Sequence, residues 1–148
     1  MHSLRNTRLM PYSAEFIKDI IMNIESYPLF LPWCSSAAIL SKNDSFVTAK
    51  LDIVFKGFSE SYISKVIQEE DKDKYTIIVE AISGPFEFLK NIWTIDKNND
   101  MSKVYFSIDF QLKSKILDIM IGIVFSSAAE KMIAAFENRA KELTKQIV

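Results

Sequence analysis

The chain has 148 residues, 49% apolar and 25% charged, with a formal net charge of −1 and a pI near 5.9. That length suits a single domain over residues 1–148 with a sizeable core, and the charge balance supplies no surface built for nucleic-acid phosphates. A lone cysteine, Cys34, excludes an internal disulfide, and with a lone histidine, His2, no Cys/His metal cluster can be assembled.

Residues 3–10 read as an opening strand. Ser13 is placed to cap a helix, with Glu15 in its first turn and Tyr12 and Ile17 at the positions of a hydrophobic staple. Phe16, Ile17, Ile20, Ile21 and Ile24 then recur at helical spacing, and Pro28 is expected to end that helix. The stretch "SYPLFLPWCSS" follows, setting Leu29, Phe30, Leu31 and Trp33 around two prolines. So many apolar side chains on a kinked segment either plug the core or lie as a lid over a cavity mouth.

From residue 35 to 113 the period changes to two. Val47, Ala49, Leu51, Ile53 and Phe55 alternate with Thr48, Lys50, Asp52, Val54 and Lys56. Tyr75, Ile77, Val79 and Ala81 form a second apolar face, and Val104, Phe106, Ile108, Phe110 and Leu112 a third. Polar breaks at 41–44, 69–74, 83–85 and 96–100 read as turns, so an antiparallel meander of about six strands is expected here, each with one wet face.

After Ser114 the helical period returns. Phe125, Ala128, Ala129, Met132, Phe136, Ala140, Leu143 and Ile147 form one stripe along a helix of roughly 30 residues. Its start, Ile116 to Phe125, is apolar all round, which means full burial or contact with something other than water. The run is interrupted by Asp118 and is short of the roughly 20 residues that span a bilayer. Gly122 within it permits a close approach. The N-terminus has neither a signal core nor an import leader, so a cytoplasmic bacterial protein is expected. The fold class is α+β, a curved antiparallel sheet against one long helix.

Catalytic chemistry is sparse. His2 sits at a terminus expected to fray, and three glycines cannot build a phosphate-cradling loop. Glu60 in "FSESY" and Glu87 in "FEF" stand in apolar neighbourhoods, and both are expected on solvated strand faces. Aromatic residues are plentiful, with 11 Phe, 5 Tyr and 2 Trp. A sheet curling around a helix tends to enclose an apolar cavity, and these side chains would line it.

The ordered set "PYSAEF", "YPLFLPWC", "FSESYISKV", "GPFEFLKNIW", "VYFSIDFQLKSKIL" and "MIAAFENRAKEL" resembles the coenzyme Q-binding START-like family, which also contains bacterial ribosome association toxins of the RatA type. The likeness covers roughly residues 3–145. It implies a helix-grip fold, with about seven antiparallel strands around the C-terminal helix, short helices after the first strand, and a tunnel for a lipid. For the quinone branch it implies non-catalytic binding of ubiquinone or a related prenyl lipid, in support of respiration and quinone biosynthesis, with no cofactor besides the bound quinone. That branch also implies peripheral contact with the inner face of the bacterial membrane. For the RatA branch it implies binding to the large ribosomal subunit and blocked subunit association. "PYSAE" is shared with RatA-like sequences, whereas Trp33 before Cys34, "FSESYISKV" and "AFENRA" look closer to the quinone branch. The tunnel wall is expected from Phe55, Tyr62, Trp93, Phe106, Phe110, Phe125, Met132 and Phe136, and the mouth from Phe30, Leu31, Trp33 and Met120. Tyr62 or Trp93 is the expected hydrogen-bond donor to a quinone carbonyl. A cyclase or hydrolase would instead need a polar cluster inside the cavity.

Overall fold

The structure, a computed structural model, describes residues 1–147 apart from Lys56 and Asn99, and side chains as far as residue 145; the outward place expected of Lys56 and the inward one of Ile147 lie outside those described residues. Seven strands form one sheet: β1 (His2–Met10), β2 (Cys34–Lys42), β3 (Val47–Phe55), β4 (Phe58–Glu70), β5 (Lys74–Ser83), β6 (Phe86–Asp96) and β7 (Ser102–Leu112). Their spatial order is β1-β7-β6-β5-β4-β3-β2, with every neighbouring pair antiparallel. The meander accounts for β2 to β7, and β1 closes the far edge by pairing with β7, His2 opposite Phe110.

The period-two pattern does what it predicts. Val47, Ala49, Leu51, Tyr75, Ile77, Val104, Phe106, Phe110 and Leu112 are buried, while Lys50, Val54 and Tyr105 between them face out. One turn has no polar signal in the sequence beyond a glycine. Gly57, at φ 86°, lies just before Phe58 and turns β3 into β4, outside the four polar breaks of the sequence.

Two helices lie on the sheet's dry side, α1 (Ala14–Met22) and α2 (Lys115–Ile147). The Ser13 hydroxyl caps α1 by accepting from the Phe16 N–H at 3.2 Å, and Tyr12 rests its ring on Phe16. Pro28 does not end α1. The helix stops six residues earlier, at Met22, where the Asn23 N–H is shared between the Asp19 and Ile20 carbonyls; Pro28 lies inside a tighter 3₁₀ segment, Ile24–Leu29. Ser114 opens α2, its hydroxyl accepting from the Leu117 N–H. At 33 residues α2 runs about 50 Å. Its inner stripe of Ile133, Phe136 and Ala140 is buried in the same core as Ile77, Trp93, Ile95 and Phe106. Arg8 on β1 fastens the outer side of this half, pairing with Glu137 at 2.9 Å and Glu130 at 3.5 Å.

Candidate functional site

The sheet and α2 do not stay in contact along the whole helix. Near its N-terminal half they part and leave an apolar cavity of about 190 Å³. Strand β3 contributes Ile53 and Phe55, β4 Phe58 and Tyr62, β6 Phe86 and Leu89, and β7 Ile108, Phe110 and Leu112. The helix supplies Ile121, Val124, Phe125, Ala128, Ala129 and Met132, and the link before β2 supplies Trp33. The rings pack edge to face: Phe110 on Phe125 at 4.9 Å, Phe86 on Tyr62 at 5.1 Å and on Phe110 at 5.9 Å, and Trp33 on Phe55 at 5.0 Å. A second groove, of about 350 Å³ on Trp33, Val54, Phe55, Val124, Ser127, Ala128 and Lys131, shares four of these residues and marks the mouth.

Of the twelve residues expected at a tunnel, the structure brings Trp33, Phe55, Tyr62, Phe110, Phe125 and Met132 onto the cavity wall. Trp93, Phe106 and Phe136 lie elsewhere, in the close-packed core beneath the second half of α2, where Trp93 touches both phenylalanines at 4.7 and 5.0 Å. Phe30 and Leu31 pack against that core too. The Phe30 ring meets Phe136 at 5.2 Å and Tyr27 at 5.9 Å, and the Arg139 guanidinium sits over it at 5.4 Å. The "SYPLFLPWC" cluster is therefore divided, with Phe30 and Leu31 as a plug and Trp33 at the mouth. Met120 is on the outer surface of α2, 53% exposed. Sequence reasoning passed over Phe58, Phe86, Leu89 and Ile121; the signal for the first two was their place beside Gly57 and Gly84, at the hairpin ends that curl over the helix.

Among the described residues, only two lining side chains carry a polar nitrogen or oxygen, Trp33 and Tyr62. Among the described residues the Tyr62 hydroxyl has no hydrogen-bond partner, and burial holds its phenol well above the ordinary range, so it remains protonated. Gly84 fixes its backbone. At φ 121° a Cβ there would stand 2.6 Å from the Tyr62 Cβ, so only glycine lets the β5–β6 turn fold onto it. Cys34 is buried, its thiol donates to the Ser36 carbonyl at 3.4 Å, and burial pushes it up to about 11, away from nucleophile chemistry. Glu60 and Glu87 are exposed, as expected of them.

His2 is not frayed. Its ring lies against two wall residues, Phe110 at 5.0 Å and Phe125 at 6.0 Å, and its Nε2 is 2.9 Å from the Asp118 carbonyl and 3.1 Å from Asp118 Oδ1. Asp118 Oδ1 also accepts from the Leu112 N–H at 2.9 Å. A Cβ on Gly122 would meet His2 Cε1 at 2.6 Å, so this glycine makes room for the imidazole. The clasp joins the β1 edge to the first turns of α2, behind the Phe110 and Phe125 rings of the wall.

Comparison with known proteins agrees with this geometry. Residues 10–137 match the family described as polyketide cyclase / dehydrase and lipid transport. The chain is 45% identical over 146 residues to the ribosome association toxin RatA of Rickettsia prowazekii, covering 98% of this chain and all of that protein. It is 32% identical over 142 residues to the mitochondrial coenzyme Q-binding protein coq10 of Schizosaccharomyces pombe, covering 93% of this chain and 85% of that one. Between these two, identity runs opposite to the order expected from "FSESYISKV" and "AFENRA". A START superfamily protein of Mycobacterium smegmatis superimposes with a TM-score of 0.81 at 22% identity, over 97% of this chain and 99% of that one.

Proposed function

The chain belongs to the polyketide cyclase / dehydrase and lipid transport family, and from that premise we propose that it binds ubiquinone or a related prenylquinone in the cavity under α2 and catalyses no reaction on it. The observation that carries this reading is the wall itself, apolar throughout except for an indole and one unpartnered phenol. A hydrophobic ring gains about 25 cal/mol per Å² of surface taken from water there. The Tyr62 hydroxyl, held protonated, suits a carbonyl acceptor. Among the described residues the lining has no carboxylate, imidazole, amine or thiol to move a proton or form a covalent bond, which is why a cyclase or hydrolase is the poorer fit. The relative named for coenzyme Q binding supports the same ligand class.

Mass spectrometry of solvent extracts from protein purified out of a quinone-producing host tests this, and a prenylquinone is the expected finding. No quinone in the extract and no uptake on reconstitution would sink the proposal. Tyr62→Phe should weaken binding of a carbonyl-bearing quinone by about two- to tenfold, the worth of one hydrogen bond. Phe110→Lys should abolish retention by placing a charge against the wall. Retention by a folded Phe110→Lys protein would show that the ligand lies elsewhere.

A second reading rests on the 45% identity to a protein named as a ribosome association toxin. On that reading the chain binds the large ribosomal subunit and blocks subunit joining. A dose-dependent loss of joined ribosomes in a subunit-association profile would favour it, and an unchanged profile would count against it.

A further inference from the structure

The first turns of α2 expose apolar side chains the fold does not use. Ile116, Ile119, Met120 and Ile123 are 72, 68, 53 and 80% exposed. Their spacing of three and four places them on one face. Met120 is four residues before Val124, which lines the cavity, so the exposed face runs continuously to the mouth. By length and composition α2 is apolar enough to cross a membrane, yet its other side is committed to the sheet. We propose that this face docks in the interfacial layer of an anionic lipid bilayer, and that a prenylquinone is held there with its ring in the cavity and its tail left in the membrane.

Three observations select a bilayer over another protein. Exposed Lys113 and Lys115 stand at the near end of the face, complementing anionic head groups, while at the far end Lys131 stands beside Glu130, which pairs with Arg8. Between Lys115 and Glu130 the single charged side chain is Asp118, which is turned to His2 and the Leu112 N–H. Four apolar side chains also fall far short of the roughly 20–30 residues a side of a stable protein interface, whereas shallow insertion needs no such area.

The tail's place follows from volume and rests on the quinone reading above. At about 190 Å³ the cavity by itself is smaller than the roughly 300–1,000 Å³ of sites that enclose a drug-sized ligand, and the groove of about 350 Å³ at its mouth is bordered by exposed Ser127 and Lys131. A ring fits; a long polyprenyl chain does not, and the continuous apolar face leads it into the bilayer.

The test is flotation of the full chain with quinone-free vesicles of phosphatidylethanolamine and phosphatidylglycerol, beside binding of a short-tailed quinone in solution. The native chain should float. Ile119→Asp with Ile123→Asp should cut flotation at least tenfold while leaving quinone affinity unchanged. Replacing Lys113 and Lys115 by Ser should weaken flotation roughly fivefold per lysine on anionic vesicles only. No flotation of the native chain, or full flotation of the double-Asp variant, overturns the proposal. So does a face whose double-Asp variant loses self-association or ribosome binding without any vesicle binding. Vesicle binding that the double-Asp variant loses, with no quinone uptake by any variant, upholds the docking face and overturns the quinone reading and the ring-and-tail arrangement instead.

Discussion

The two halves of α2 obey different rules. From Ala129 to Ala140 the large apolar side chains keep to one stripe, Ile133 and Phe136 on it are buried, and salt bridges from Arg8 hold the outer side. From Ile116 to Phe125 they occupy every side, and half of them face water although the sheet is only a cavity's width away. The second half is what a fold asks of a helix. The first carries more apolar surface than folding can use, and a surplus of that kind beside a cavity indicates contact with something outside the chain.

The largest effect should come from the half that folds the protein. Phe136→Ala removes a ring packed on Tyr27, Phe30 and Trp93 and should cost about 3–5 kcal/mol, read from urea unfolding midpoints. Phe125→Ala, on the cavity wall, should cost less than half as much, because one side of that ring already lacks partner atoms. Equal losses would mean that the cavity is filled in solution and that the halves differ less than their packing indicates.

How far this contrast was legible in the sequence depends on the residue. The stripe from Phe125 to Leu143, the alternating strands and the Ser13 cap each follow from a local period or a local hydrogen bond, and such signals survive without tertiary information. Trp93 and Phe106 defeated the reading for the opposite reason. An inward aromatic on a strand packs on whatever the helix presents, and whether that is Phe136 or empty space depends on where the sheet bends away. His2 failed on another count, since nothing near it in the chain shows that Asp118 and Gly122 arrive from more than a hundred residues away.

A middle-sized effect tests the clasp that joins the two regions. Gly122→Ala alone gains up to about 1 kcal/mol of helix propensity but displaces the imidazole, so its net effect should be small or unfavourable. In a His2→Ala background the same change should stabilise by about 1 kcal/mol. The double-mutant cycle should thus give a coupling near 1 kcal/mol, and a coupling of zero would remove His2 from this seat. Acid should loosen the same joint. The Leu112 N–H, and then His2, hold the Asp118 carboxyl below its ordinary range. Its contribution is therefore present above the unfolded value of about 3.9 and lost as pH falls through the lower folded one. Asp118→Asn should flatten that acid limb of the stability profile.

The smallest effect is expected at the exposed face. Ile119→Asp and Ile123→Asp remove side chains that are 68 and 80% exposed, so the pair together should change the unfolding free energy by no more than about 1 kcal/mol. Helix propensity alone accounts for that much, since Asp is a poorer helix former than Ile by a few tenths of a kcal/mol per site. A loss of about 3 kcal/mol or more would mean that these residues are packed in solution, and the surplus would then be a buried surface after all. A near-neutral result turns the same variants into clean probes, because any binding they lose is lost from a folded protein with its cavity wall and its Phe136 core unaltered.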